Sequence, residues 1–239
     1  MSNKYWWVII TYIIMQFSGV VFVTLLKALT SLSIEDLAIY STYWSIFSFT
    51  TGLVVVLLLL RKDMAHDDFR ASTDSGQVVL WSILGFVLAY FTQVFTGLFE
   101  LYVLGIEPKS ENTQMIMDIT RSVPLFMIIP MFIAPILEEI IFRKIIFGSL
   151  HKHMNFFFAA LLSAFIFGII HGEMEHILRY AATGFVFAFL YVKTKRILVP
   201  IIVHMALNSF AVLIQYGLSP EDLERMQDQL KELQTILFG

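Results

Sequence analysis

Three stretches of this chain, residues 5–26, 37–60 and 75–99, contain no charged residue. Each reaches the ~20 residues an α-helix needs to cross the hydrocarbon of a bilayer. Hydrocarbon offers no water to backbone N–H and C=O groups, so a chain built from such runs must satisfy them within helices or a closed barrel. Runs this long, with no two-residue alternation, select helices. Four further apolar runs follow, at 124–150, 155–171, 177–192 and 197–217. The first begins at Pro124, a favourable first helical residue. Arg179 and Lys193 bracket the third, so Arg179 must snorkel to the interface or find a partner. The expected fold is all-α: a polytopic membrane helical bundle of about seven transmembrane helices.

Composition agrees, with 58% hydrophobic and only 15% charged residues, against about a quarter charged in a soluble domain. A net charge of −3 offers no basic surface for nucleic acid. The absence of cysteine excludes disulfides, thiolate catalysis and Cys-ligated zinc. The first run lacks a small-residue cleavage site and reads as an anchor. Basic residues cluster in alternate connections: Arg61, Lys62 and Arg70; Lys144 and Lys152; Lys193, Lys195 and Arg196. The other connections hold Glu35 and Asp36, a mixed set from 107 to 121, and Glu173 with Glu175. The positive-inside rule then places the N-terminus and the basic loops in the cytoplasm and the C-terminus outside. Residues 1–123 form N-terminal transmembrane helices and loops, 124–217 a membrane core, and 218–239 a tail. Leu223, Met226, Leu230 and Leu233 share one helical face of that tail, which suits the membrane surface or packing on a loop.

Ionisable and strongly polar residues inside the last four runs are few, and among them are Glu138, Glu139, Arg143, His171, His204 and Asn208. Charge in hydrocarbon is costly, so each needs a compensating partner or a task. Glu139 and Arg143 are i, i+4 neighbours, placed for an ion pair. Glu138 points about 100° away and has no partner on its own helix. His204 and Asn208 are again i, i+4 and can enter one cavity, and the same spacing lets Phe167 pack on His171. Pro135 and Pro200 each remove a helical hydrogen bond, Pro135 freeing the carbonyl of Met131 on a regular α-helix. Taken singly, a Glu–Arg pair is structural glue, a lone His is a satisfied hydrogen-bonding residue, and an Asn holds helices together. Together, an unpaired Glu, two His and an Asn supply what base-assisted attack of water on a peptide bond requires. There is no GxSxG and no HExxH. In "HGEMEH", residues 171–176, the histidines are five apart and point about 140° from each other on a helix. Glu173, Glu175 and His176 read as a short exterior turn.

Three motifs in order on successive helices carry a resemblance. "EEIIFR" (138–143) fits EExxxR, "FGIIH" (167–171) fits FxxxH, and "HMALN" (204–208) fits HxxxN. They resemble the CPBP family, the CAAX-prenyl-protease-like and bacteriocin-processing intramembrane proteases also called the Abi family. "KTKRILVPIIVHMALN" (193–208) looks like its bacterial branch. The resemblance covers roughly residues 124–215 and implies a catalytic core in the last four helices. It implies that Glu138 is the general base, that His171 holds or polarises the water, and that His204 and Asn208 orient it or stabilise the oxyanion. Glu139, Arg143 and Phe167 would support them. A glutamate-dependent mechanism needs no cofactor; a divalent metal such as zinc could instead be held by Glu138, His171 and His204. The expected protein is an endopeptidase of the bacterial inner or plasma membrane, its partners a peptide or membrane-protein substrate and the bilayer. A non-catalytic bacteriocin-immunity or scaffolding protein is the alternative, and a proton-coupled transporter a third. At 1.5 Å per residue, these helix boundaries set His171 ~10 Å or more from His204 in depth.

Overall fold

The structure is a computed structural model describing residues 2–63, 75–107 and 110–218, with residues 222, 225, 228, 229 and 232 of the tail. Leu223, Met226, Leu230 and Leu233, on which the amphipathic tail was read, and Arg70 lie outside the described residues. The described residues are helical throughout, with no strand among them. Helices α1 (Asn3–Leu29), α2 (Ile34–Asp63) and α3 (Ser75–Tyr102) occupy the first three apolar runs. A short connection folds α2 back against α1. Ser33 accepts from the Asp36 N–H and donates to its carboxylate, an N-cap that starts α2. Midway, Phe22 stacks on Trp44 with ring centres 4.4 Å apart, and the Trp44 indole donates to Ser18. At the far end Lys4 pairs with Asp63 at 2.9 Å, as an antiparallel pair requires.

α4 (Glu111–Ser122) is a helix in what reads from sequence as a charged connection. Ser110 caps it, accepting from the Thr113 N–H at 3.0 Å. Helix α5 (Pro124–Leu150) carries both glutamates and is the central element, 56% buried across its apolar window against 17% for each of α1–α3. α6 (Phe156–Ile170), α7 (Ile177–Thr194) and α8 (Leu198–Gly217) complete the bundle. Asn155 caps α6 by accepting from the Phe158 N–H, and Lys195, at φ 53°, closes α7 in the left-handed conformation.

All seven apolar runs are helices. Five are long and apolar enough to cross a membrane, namely α1, α2, α3, α5 and α8. The 15 residues of α6 rise only about 22 Å, short of the ~30 Å of hydrocarbon. Two of the packed groups join the N-terminal helices to the core. Val8, Tyr12, Val56 and Leu60 of α1 and α2 pack on Leu137, Ile140 and Phe142 of α5. Ala89 of α3 packs with Phe187 and Leu190 of α7 and Val203 and Leu207 of α8. The large exposed side chains of α1–α3, among them Phe17, Phe47 and Phe95, face outward, as lipid-facing surfaces do. The bundle is a polytopic helical membrane fold.

Candidate functional site

Proline sets the local geometry. Residues Ile129–Ile133 and Glu139–Phe147 of α5 are wound as π-helix, separated by one α turn at Ala134–Glu138. In the first π segment the Ala134 N–H donates to the Ile129 carbonyl, five residues back. The next donor in that register, residue 135, is a proline without an N–H, so the orphaned carbonyl is that of Pro130. The sequence expectation of Met131 assumed α register; the π turn moves the vacancy by one residue. Asn208 of α8 fills it, its side-chain amide donating to the Pro130 carbonyl at 3.0 Å. The π turn of α5 is thereby tied to the neighbouring α8, about two turns before the glutamates.

Those glutamates part company. Glu139 is fully buried and meets Arg143 at 3.2 Å, the expected i, i+4 pair. The two atoms are near enough for charge attraction but misaligned for a hydrogen bond. The Arg143 guanidinium also lies 4.6 Å from the Phe167 ring centre and 5.1 Å from that of Phe187, a cation between two aromatic faces. The other Glu139 oxygen receives His204 Nδ1 at 2.8 Å. An ionised carboxylate only accepts, so Nδ1 carries the proton and Nε2 is turned away. Glu138 lies on the far side of that ring, its carboxylate 3.7 Å from Nε2, with 14% of its side chain exposed. That distance is too long for a direct hydrogen bond and suits a bridging water.

His171 ends α6. Its Nδ1 sits 2.8 Å from the Phe167 carbonyl; a carbonyl only accepts, so Nδ1 again bears the proton and Nε2 is the free lone pair. Phe167 lies between the two imidazoles, with ring centres 4.4 Å from His171 and 6.1 Å from His204. The depth conflict in the sequence reading disappears for this reason: α6 is short and ends beside the cavity. Glu138, His171, His204 and Asn208 all line a cavity of ≈540 Å³. Among the described residues no group of three or more His, Cys, Asp or Glu side chains could hold a metal ion. As placed, Glu138, His171 and His204 do not form a three-ligand metal site.

Residues not singled out from sequence build the rest. Tyr12 and Gln16 of α1, Phe49 of α2 and Gln93 of α3 line the same cavity, so the first three helices contribute to the site. Glu100 is fully buried near the end of α3, 2.7 Å from Arg179 Nη2 and 3.0 Å from His176 Nδ1. It is the partner that Arg179 required. The turn after His171 is present and Glu175 is exposed on it, but two of its side chains turn inward: His176 is buried and Glu173 enters a hydrogen-bond network. Burial works against a charge on Glu173, but hydrogen bonds from Tyr180, the Asn112 N–H and Ser110, with His176 nearby, outweigh it. Together they hold the carboxyl below the usual carboxylate range. Glu100 sits at the polar end of an apolar run, and a charge there reads from sequence as an interfacial residue.

Comparison with known proteins places the chain. Residues 120–210 match the family model described as Type II CAAX prenyl endopeptidase Rce1-like. The Bacillus subtilis (strain 168) protein YdiL, provisionally named a membrane peptidase, is 46% identical over the whole of both chains. The membrane-embedded CAAX protease MroQ of Staphylococcus aureus (strain USA300) is 30% identical over 92% of each. The chain belongs to the Rce1-like CAAX protease family. It is therefore a multi-pass membrane protein of a protease family, working in a lipid bilayer on peptide substrates. No solved structure matches it.

Proposed function

We propose that this protein is an intramembrane endopeptidase in which Glu138 activates water against a peptide bond of a membrane-associated peptide or protein precursor. One observation carries the reading: of two adjacent glutamates, Glu139 is fully buried and committed to Arg143 and His204, while Glu138 opens on the cavity. Glu138 takes a proton from water as the water oxygen bonds to the substrate carbonyl carbon. The same proton passes to the amide nitrogen as the C–N bond breaks, leaving a carboxylic acid and an amine. His171 accepts from the attacking water through Nε2 and fixes its direction. Asn208, with one N–H still free of Pro130, stands where the oxyanion develops, and His204, whose N–H is committed to Glu139, walls the cavity beside Glu138. Glu139 and Arg143 hold the His204 ring, and Phe167 separates the imidazoles.

No step runs through a metal, because the donor side chains do not converge on one. Chelators are accordingly expected to leave proteolysis unchanged; loss of activity on chelation, restored by added zinc, would overturn the metal-free route. The N-terminus and basic loops face the cytoplasm of a bacterial cell, and the substrate class includes bacteriocin or signalling-peptide precursors. The peptidase names of the relatives weigh for this reading over immunity or transport. Comparative peptidomics tests it, using membranes from cells carrying wild type or Glu138→Gln at equal expression. Products that vanish in the variant are the expected result and name the substrate. An unchanged peptide profile, with Glu138→Gln still complementing a deletion, would sink the protease reading.

A further inference from the structure

Tyr180 and Glu173 belong to none of the three motifs, yet both bear on His171. The Tyr180 ring stacks on the His171 imidazole, with centres 4.3 Å apart and planes 29° from parallel. Its hydroxyl donates to Glu173 at 2.7 Å. Glu173 also receives the Asn112 N–H at 2.9 Å and the Ser110 hydroxyl at 2.9 Å. Ser110 has a single proton and a carboxylate only accepts, so that proton belongs to Glu173. A continuous chain of contacts thus runs from the start of α4 through Glu173 and Tyr180 to His171, and all of these side chains line the cavity.

The geometry of the imidazole explains why the chain matters. Phe167 supplies one constraint on the His171 ring, through the carbonyl bond at Nδ1 and through its own ring, tilted at 59° with centres 4.4 Å apart. His171 is also the last residue before a turn, followed by Gly172 at φ 76°, so its own helix gives it little support. The Tyr180 face supplies the second constraint, and Glu173 fixes Tyr180. Because three donors hold Glu173 as a carboxylate, the chain stays intact at neutral pH and acts as a fixed strut.

We propose that Tyr180 and Glu173 are positioning residues that aim His171 Nε2 at the attacking water, and that docking of α4 on Glu173 completes the site. The inference rests on the peptidase reading above. A misplacement of about 1 Å in a catalytic group can cost on the order of 100-fold in rate, and that sets the expected scale. The assay uses full-length protein in detergent and quenched-fluorescent peptides spanning the bond that Glu138-dependent peptidomics identifies. Tyr180→Ala is expected to lower kcat about 100-fold with KM within about twofold. Tyr180→Phe, which keeps the stack, should recover most of that loss. Glu173→Gln, which keeps the shape but turns an amide donor towards other donors, should fall between them. If Tyr180→Ala retains wild-type kcat, or all three variants lose through KM alone, the inference is wrong. Should Tyr180→Ala fail to fold, Tyr180→Phe and Glu173→Gln decide it, since equal and wild-type kcat in both would overturn it. Glu138→Gln runs alongside: if it cleaves as wild type does, the peptidase mechanism has failed. If it is inactive while the Tyr180 and Glu173 variants are unaffected, only the positioning role has.

Discussion

Glu138 and Glu139 are neighbours in sequence with opposite circumstances, and substitution should separate them. Glu138→Gln removes a carboxylate that opens on the cavity and leaves Arg143 its contact with Glu139, so proteolysis is lost while the unfolding temperature in detergent stays within a few degrees. Glu139→Gln leaves the fully buried Arg143 without its counter-charge. Breaking a buried pair from one side costs about 3–5 kcal/mol, so this variant should unfold at a clearly lower temperature and lose activity with it. Thermal unfolding of both purified variants checks the contrast; equal stability would show that Arg143 has another anchor. The expected Glu139–Arg143 pair and the Phe167–His171 contact were both legible from i, i+4 spacing, because a helix fixes which side chains meet along its own length. The Glu139–His204 bond was not, since it depends on how two helices distant in sequence are set against each other.

Helix packing makes its own demands. A Cβ on Gly184 would stand 3.1 Å from the Ala164 side chain and 3.3 Å from the Arg143 guanidinium, where α7 crosses α6 and α5. Gly184→Ala requires Ala164 and Arg143 to give way by a few tenths of an ångström, an overpacking expected to cost about 1–3 kcal/mol. Gly19→Ala, with nothing within 4 Å, should be neutral, and paired melting curves test the difference. α4 is held through Glu173, whose folded carboxyl lies below its ordinary value of 4.5. A depressed value means that the charged form is favoured by folding, so the contribution is complete above that ordinary value and is lost as pH falls through the lower one. Wild type should thus be more stable than Glu173→Gln at neutral pH, and the two should converge only in acid. A gap that persisted unchanged in acid would show that the charge on Glu173 contributes nothing. The π register of α5 was hidden from sequence because Pro135 marks a missing donor without saying which carbonyl loses it. Winding decides that, and α8 supplies the amide that makes the winding tolerable.

For the molecule as a whole, orientation can be read without background labelling because the sequence has no cysteine. With the N-terminus in the cytoplasm, Lys62→Cys should resist a membrane-impermeant maleimide in intact cells and Glu107→Cys should react. The reverse pattern would invert the topology. Seven apolar runs, their order and the three polar motifs were determined by sequence alone, since hydrocarbon leaves a long uncharged run little choice but helix. Helix α4 escaped because its charged face resembles an ordinary loop when its partner surface is unseen. Only the tertiary structure decided that the short α6 brings His171 level with His204, that α1–α3 help line the cavity, and that Glu100 meets Arg179. Those outcomes depend on packing between segments far apart in the chain, which the periodicity of a single helix does not encode.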